Sequence, residues 1–232
     1  MFALREPEGR DRMAYGKLRR FIELSALDRP WVGRVFDKKR KSAPPRDAHA
    51  DWDWNSDYAS GVLDRLWRND QRHHHRLLAS LLASARPNPA VLDIGCGEGA
   101  LYHTMALHRP SAYLGVDISS LAIERARERA KATPIDGPVA FETGNGSAYE
   151  TDQTFDVIVF SECAEFLGDM GKVLDHYRKN LREGGKFGLT MWLATRQLPT
   201  WELLKTQTKV DDEAVVCTAW GGAWIVAVLS PR

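Results

Sequence analysis

The sequence predicts an α/β fold: a mostly parallel sheet with helices on both faces, finished by an antiparallel hairpin and preceded by a helical lid. Three observations predict it. From Ala90 onward, short apolar runs alternate with helical stretches, the pattern of strand–helix–strand units. The last two apolar runs are separated by Gly221-Gly222, which reads as a two-residue hairpin turn. Ahead of Ala90, leucines recur at three- and four-residue spacing with no strand signal.

Taken in order, residues 1–50 form a basic arm with 13 Lys+Arg against 7 Asp+Glu, while the remaining residues carry 19 against 24. Such an arm is either a solvated tail or an anion-binding segment. Pro44-Pro45 closes it, because consecutive prolines exclude helix. Residues 51–87 then read as a helical lid or substrate segment. Leu63, Leu66, Trp67, Leu77, Leu78, Leu81 and Leu82 mark an amphipathic helix, or two in succession, over 61–84. Residues 88–232 form the main domain. Strands are expected at 90–94, 112–117, 139–143, 155–160, 186–192, 213–220 and 223–229, and helices near 98–108, 119–132 and 170–182.

Composition removes several function classes. No apolar run is long enough for a membrane helix, and the N-terminal residues lack a secretory apolar stretch, so a cytoplasmic protein is expected. Cys96, Cys163 and Cys217 lack metal-ligand spacing and are odd in number, which speaks against a disulfide framework and a zinc site. No metal site is expected at His73-His74-His75 either. Neighbouring helix residues point about 100° apart, so three in a row do not converge on one ion. His73 and His74 share stripes with Leu77, Leu78 and Leu81 and are expected to face the sheet, with His75 turned away.

The strongest chemical signal is the run Val91-Leu92-Asp93-Ile94-Gly95-Cys96-Gly97-Glu98-Gly99, a strand entering a glycine-rich turn. Such turns let a ligand approach the backbone at the carboxyl end of a strand. The spacing is G-x-G-x-G, with no Lys-Ser or Lys-Thr after it, which disfavours dinucleotide and P-loop readings. Asp117 ends the second strand, where a carboxylate accepts hydrogen bonds from ribose hydroxyls.

Together with Gly115-Val116-Asp117-Ile118-Ser119, Phe155-Asp156-Val157-Ile158 and Leu181-Arg182-Glu183-Gly184-Gly185-Lys186, this run resembles the successive motifs of class I S-adenosylmethionine-dependent methyltransferases. The likeness covers about residues 88–229. It is greatest to the nodulation-type saccharide N-methyltransferases and related small bacterial methyltransferases. The resemblance implies a Rossmann-like, seven-stranded sheet that binds S-adenosylmethionine and releases S-adenosylhomocysteine. By the same resemblance, Asp93, Gly95, Cys96 and Gly97 form the turn around the methionine part. Asp117 takes the ribose, Ile118 covers the adenine, and Asn145 and Gly146 stand where the family usually has an adenine-binding Asp. Arg72 is expected to pair with the methionine carboxylate.

After the fourth strand, Ser161 and Glu162 fall beside the sulfonium and the acceptor. Glu162 is the leading catalytic carboxylate, with a capping role beside Ser161 as the alternative. His73 or His74 is the candidate imidazole base. Trp31, Trp52, Trp54 and Trp67 precede the main domain, and tryptophan faces stack on sugars and bases alike. Beside Asp51, Asp53 and Asp57 they favour an uncharged saccharide or polar small molecule as acceptor. Two other classes stay open: an RNA methyltransferase using the basic arm, and a binding module without turnover. The first lacks the Asn/Asp-Pro-Pro-Tyr tetrapeptide of amino-methylating nucleic-acid enzymes, having Ser161-Glu162-Cys163-Ala164 in that place.

Overall fold

The computed structural model describes residues 52–194, 197–219 and 222–232. The basic arm over 1–50, with Trp31, lies outside the described residues. Helix α1 (Trp54–Ser60) is capped by Asp53, whose Oδ1 accepts from the Ser56 N–H at 3.1 Å, and ends at Gly61 in the left-handed region. Two tight 3₁₀ turns (Asp64–Trp67 and Asn69–Arg72) follow, then helix α2 (His73–Ala85). The amphipathic stretch expected over 61–84 is therefore one helix entered through two turns.

The main domain runs β1 (Ala90–Ile94), α3 (Ala100–Met105), β2 (Ala112–Asp117), α4 (Ser120–Ala130), β3 (Val139–Thr143) and β4 (Phe155–Ser161). It continues with α5 (Met170–Arg178), β5 (Leu181–Trp192), α6 (Leu198–Gln207), β6 (Thr208–Cys217) and β7 (Ala223–Pro231). The strand order is β3-β2-β1-β4-β5-β7-β6. The first five are parallel, and β7 runs antiparallel between β5 and β6. The chain builds outward from β1 to β3 and then returns to β4 on the other side. The crevice between the carboxyl ends of β1 and β4 is therefore where a sheet of this kind takes its ligand.

Each face of the sheet has its own core. Leu92, Ile94, Ile158, Phe160, Phe187 and Ile225 pack with Tyr177 of α5 and Trp201 of α6. Val91, Val157, Val159 and Val226 pack with Leu78 and Leu82 of α2, Tyr102 of α3 and Ile123 of α4. Alternate residues of each strand thus feed opposite cores, as a doubly covered sheet requires. Gly188 lets α2 settle on β5: a Cβ there would lie 2.9 Å from Leu82 Cδ1.

Several boundaries differ from expectation. Strand β5 starts at Leu181, so α5 stops at Arg178 and not near 182. The Arg182–Gly185 segment bulges out of register with β4, where Phe155 pairs with Leu181 but Val157 pairs with Lys186. Strand β6 starts at Thr208 and not near 213; the edge sequence Lys209–Glu213 is polar and mostly exposed and so lacks the apolar signal of a strand. The hairpin is looser than a two-residue turn. Its last pair is Cys217 with Ala223, and the Thr218 N–H donates to the Gly222 carbonyl at 2.8 Å. Trp220 and Gly221 fall outside the described residues. Among the described residues, no helix is long and apolar enough to cross a membrane.

Candidate active site

A cavity of about 1200 Å³ opens above the carboxyl ends of β1 and β4. One half is built by the glycine-rich turn. Gly95, Gly97 and Gly99 all have positive φ (70°, 53° and 84°), a region that disfavours side chains. Their lack of a Cβ also has a steric cause. A Cβ on Gly95 would lie 2.5 Å from Cys163 Cβ, and one on Gly97 would lie 2.7 Å from the Tyr58 hydroxyl.

Asp117 ties this turn to the end of β2. Its Oδ2 accepts from the Gly97 N–H and its Oδ1 from the Ser119 N–H, each at 2.8 Å. Each oxygen keeps a lone pair for a further donor in the cavity. Burial raises its pKa, and the backbone N–H bonds oppose that rise. Asp93 is fully buried and lines the same half. The Tyr113 hydroxyl donates to its Oδ2 at 2.5 Å, while Oδ1 is buried without a hydrogen-bond partner. Burial pushes the Asp93 pKa up to about 7, against the pull of the Tyr113 bond. Ile118 is 39% exposed and flanks the opening beside Asp117.

The segment before α2 walls the cavity with Trp54, Tyr58, Leu63 and Leu66. It is fastened to α4 at several points. Asn55 Oδ1 accepts from the Ser119 hydroxyl at 2.7 Å and from the Leu121 N–H at 3.2 Å, and Arg125 donates to the Tyr58 carbonyl at 3.0 Å. Buried Glu98 accepts from Trp67 Nε1 and Arg125 Nη1, both at 2.8 Å, and pairs with Arg129 at 2.9 Å.

The other half of the cavity is built around Glu162, just past β4. Its φ of 56° is left-handed, uncommon for a residue with a side chain and costly unless the surroundings hold it there. Three contacts do so. The Glu162 N–H donates to the Thr190 carbonyl at 2.8 Å, and Trp224 Nε1 donates to Oε1 at 2.7 Å. His74 Nε2 lies 3.0 Å from Oε2. Burial pushes the Glu162 pKa up, but the adjoining His74 and His75 and the Trp224 bond outweigh it, so the carboxyl is held below its ordinary value and ionised. His74 itself is fully buried and stacks on Trp224, with ring centroids 4.6 Å apart.

The imidazoles are arranged otherwise than expected. His75 is buried and lines the cavity, whereas His73 is exposed with Nδ1 3.2 Å from Arg76 Nη1. The buried stripe of α2 is His74, His75, Leu78, Ala79 and Leu82, so Ala79 marks the inner face that the leucines alone misplace. Burial lowers the His75 pKa to about 3, which keeps its ring neutral. Arg72 packs beside Trp67. Its guanidinium lies over the Trp67 ring at 5.3 Å and it is not part of the cavity lining.

Asn145 and Gly146 do border the cavity, yet Asn145 Oδ1 is turned to its own loop, accepting from the Ser147 N–H at 3.0 Å and its hydroxyl at 2.9 Å. Ser161 also borders it, with its hydroxyl 2.8 Å from that of Thr190. Neither Ser161 nor Glu162 caps a helix: the following 3₁₀ turn, Ala164–Phe166, starts from Cys163 with no side-chain cap. Of the residues singled out in the sequence, Asp93, Gly95, Cys96, Gly97, Asp117, Ile118, Asn145, Gly146, Ser161 and Glu162 all line this cavity. His75, Tyr58, Phe166 and Trp192 also line the cavity, and Trp224 holds Glu162, although no sequence motif singles them out. The aromatic ones come from distant segments, so no local spacing announces them.

Comparison with known proteins agrees with this geometry. The family model described as "Methyltransferase domain" matches residues 85–225. Among curated relatives, the 27-O-demethylrifamycin SV methyltransferase of Amycolatopsis mediterranei (strain S699) is 30% identical over 149 residues, 57% of this chain and 55% of that protein. The nocamycin O-methyltransferase of Saccharothrix syringae is 30% identical, over 70% of this chain and 60% of its own length. For the 24-methylenesterol C-methyltransferase 2 of Oryza sativa subsp. japonica, the match covers 40% of that protein at 26% identity. The chain thus spans about half the length of the curated relatives it matches.

Among solved structures, the N-methyltransferase NodS of Bradyrhizobium japonicum WM9 bound to S-adenosyl-L-homocysteine superimposes with a TM-score of 0.60. It is 22% identical, with 74% of this chain and 91% of that chain covered. A methyltransferase from Thiobacillus denitrificans, also bound to S-adenosyl-L-homocysteine, gives 0.54 at 20% identity over 67% and 90%. At these identities the likeness shows a shared fold. With the family model spanning more than half of the chain, and the glycine-rich turn and Asp117 within the matched stretch, the protein belongs to the methyltransferase domain family, of the class I, S-adenosylmethionine-dependent type.

Proposed function

We propose that the protein transfers a methyl group to a hydroxyl or amine of an uncharged saccharide or other small molecule that presents an apolar face. The observation that carries this reading is the continuity of one cavity. It runs from the Gly95–Gly97 turn and Asp117 to Glu162 and His75, with an aromatic wall from Trp54, Phe166 and Trp192. Its volume, about 1200 Å³, exceeds the roughly 300–1,000 Å³ of an ordinary single-ligand pocket, as a site for donor and acceptor together requires.

The residues of the donor half suit the cofactor. The unpartnered Asp93 Oδ1 is an acceptor for an ammonium group, Asp117 retains acceptor capacity for ribose hydroxyls, and the side-chain-free turn lets a ligand lie against backbone. S-adenosylmethionine supplies an electrophilic methyl carbon on a sulfonium. The chain supplies alignment, which alone contributes several kcal/mol. The lining from α1 to Leu66 keeps water from the reacting atoms. Glu162, ionised and fixed by Trp224, accepts the acceptor's O–H or N–H and points its lone pair at the donor. Phe166, Trp54 and Trp192 line the cavity and give the acceptor's body an aromatic surface to pack against. A cytoplasmic setting is part of the same reading, supported by three unpaired cysteines, two of them buried.

The test is incubation with methyl-labelled S-adenosylmethionine and a fractionated extract of the host. The expected result is label in saccharides or other uncharged small molecules. Label confined to RNA would overturn the acceptor assignment, and failure to bind S-adenosylhomocysteine in calorimetry would overturn the whole reading.

A further inference from the structure

We propose that His74, His75 and Glu162 bind one divalent transition-metal ion on the acceptor side of the cavity. The inference rests on the reading above only for what the ion would do, since the ligand set stands on geometry alone. One potential ligand atom from each residue can be chosen so that all lie within 4.8 Å of one another. An ion with bonds of about 2.0–2.1 Å sets tetrahedral ligands about 3.4 Å apart. The set is therefore slightly wider than a bound ion would hold it. His74 Nε2 and Glu162 Oε2, at 3.0 Å, are already closer than that spacing.

The second observation concerns unmet demand. His74 Nδ1, His74 Nε2 and His75 Nδ1 are all buried without a hydrogen-bond partner, although His74 Nε2 stands so near the carboxylate. The two atoms lie at ion-pair distance without meeting the geometry of a hydrogen bond. Leaving a buried polar atom unsatisfied costs about 1–3 kcal/mol. Finding several in one cluster, at the wall of a cavity, points to a ligand there, and one ion would take one nitrogen of each imidazole.

The chemistry of the donors narrows the ion. Two imidazoles and one carboxylate suit first-row divalent ions such as zinc, cobalt, iron or manganese, and three protein ligands leave positions open. Trp224 holds the second oxygen of Glu162 at 2.7 Å, the kind of outer hydrogen bond that orients a metal-binding carboxylate. His75 and Glu162 line the cavity, so the open positions would face the acceptor. An ion there would polarise an acceptor hydroxyl and lower its pKa.

The experiment strips the full-length protein with a chelator and titrates it with cobalt(II), read by visible absorption, and with zinc(II), read by calorimetry. Uptake of one equivalent with micromolar or tighter affinity is expected. Glu162→Gln and His75→Asn should each weaken it roughly 10- to 100-fold, while exposed His73→Ala should leave it unchanged. Thermal unfolding of each variant guards against simple misfolding, and Glu162→Gln keeps an acceptor for Trp224. No stoichiometric uptake by the intact chain, or uptake that survives both cavity variants, would overturn the metal site. Affinity for S-adenosylhomocysteine, measured on the stripped protein, separates the two readings. If it persists without metal uptake, the metal site fails and the methyltransferase reading stands.

Discussion

Strand β4 carries a carboxylate near each end, and the two are treated in opposite ways. Asp156, near its start, is surrounded by donors: the Ala90 N–H, Arg86 and Arg182, each at 2.8 Å. Its φ is not positive. Glu162, just beyond the other end, sits in a left-handed backbone conformation with buried, unsatisfied histidines beside it. The amino end of the strand spends its charge on joining β1 to β4 and β5. The carboxyl end leaves bonding capacity open to a cavity. An acidic residue in a parallel sheet is thus read by its edge and by what remains unsatisfied around it, more than by its charge.

The largest test of this contrast is Glu162→Gln. Turnover should fall by roughly 100-fold or more, whether the carboxylate takes the acceptor's proton itself or holds the ion that acidifies it, while S-adenosylhomocysteine affinity stays unchanged in calorimetry. Equal turnover in the variant would move the chemistry elsewhere. At the opposite end, Asp156→Ala should lower stability by about 2 kcal/mol and Tm by about 4–8 °C with no change in cofactor affinity. Burial pushes the Asp156 pKa up, but the Ala90 N–H and the two arginines outweigh it and hold it low. Its stabilisation is therefore present above the ordinary carboxylate range and lost as pH falls through its depressed pKa. The gap between the proteins should close in acid.

Within the donor half, Asp117→Ala should weaken S-adenosylhomocysteine binding by about tenfold, or 1.4 kcal/mol, and unchanged affinity would remove the ribose assignment. The smallest effect belongs to Asp93. Because its folded pKa is raised to about 7, its contribution to stability is fully present below the ordinary carboxylate range and declines as pH rises toward 7. Pairing with a ligand ammonium would ionise it. Cofactor binding near pH 7 should then release a fraction of a proton, seen as a buffer-dependent binding enthalpy that Asp93→Asn removes.

The donor half was legible because its determinants are local. Gly95, Gly97 and Asp117 each sit at the end of an apolar run, and the run fixes the position. The acceptor half was less legible because its partners are distant in sequence: Glu162 follows β4, His74 is on α2 and Trp224 on β7. The misplacement of His73 and His75 has a definite cause. Leu77 and Leu81 lie on the flank of α2, so weighting them rotates the inferred inner face away from small, fully buried Ala79. Strand β6 was shortened for a related reason, since an edge strand's polar face does not look like core.

Trp224 belongs to β7, and β7 lies inside the sheet although it is made after β6, the strand at the rim. During synthesis from the N-terminus, β1 to β5 can assemble while β7 is still within the ribosome. Until β7 emerges and slides between β5 and β6, β5 has a free edge, and the indole that holds Glu162 is missing. A nascent chain can therefore assemble the donor half before the acceptor half exists. Nucleoside binding should appear earlier in translation than any capacity for turnover.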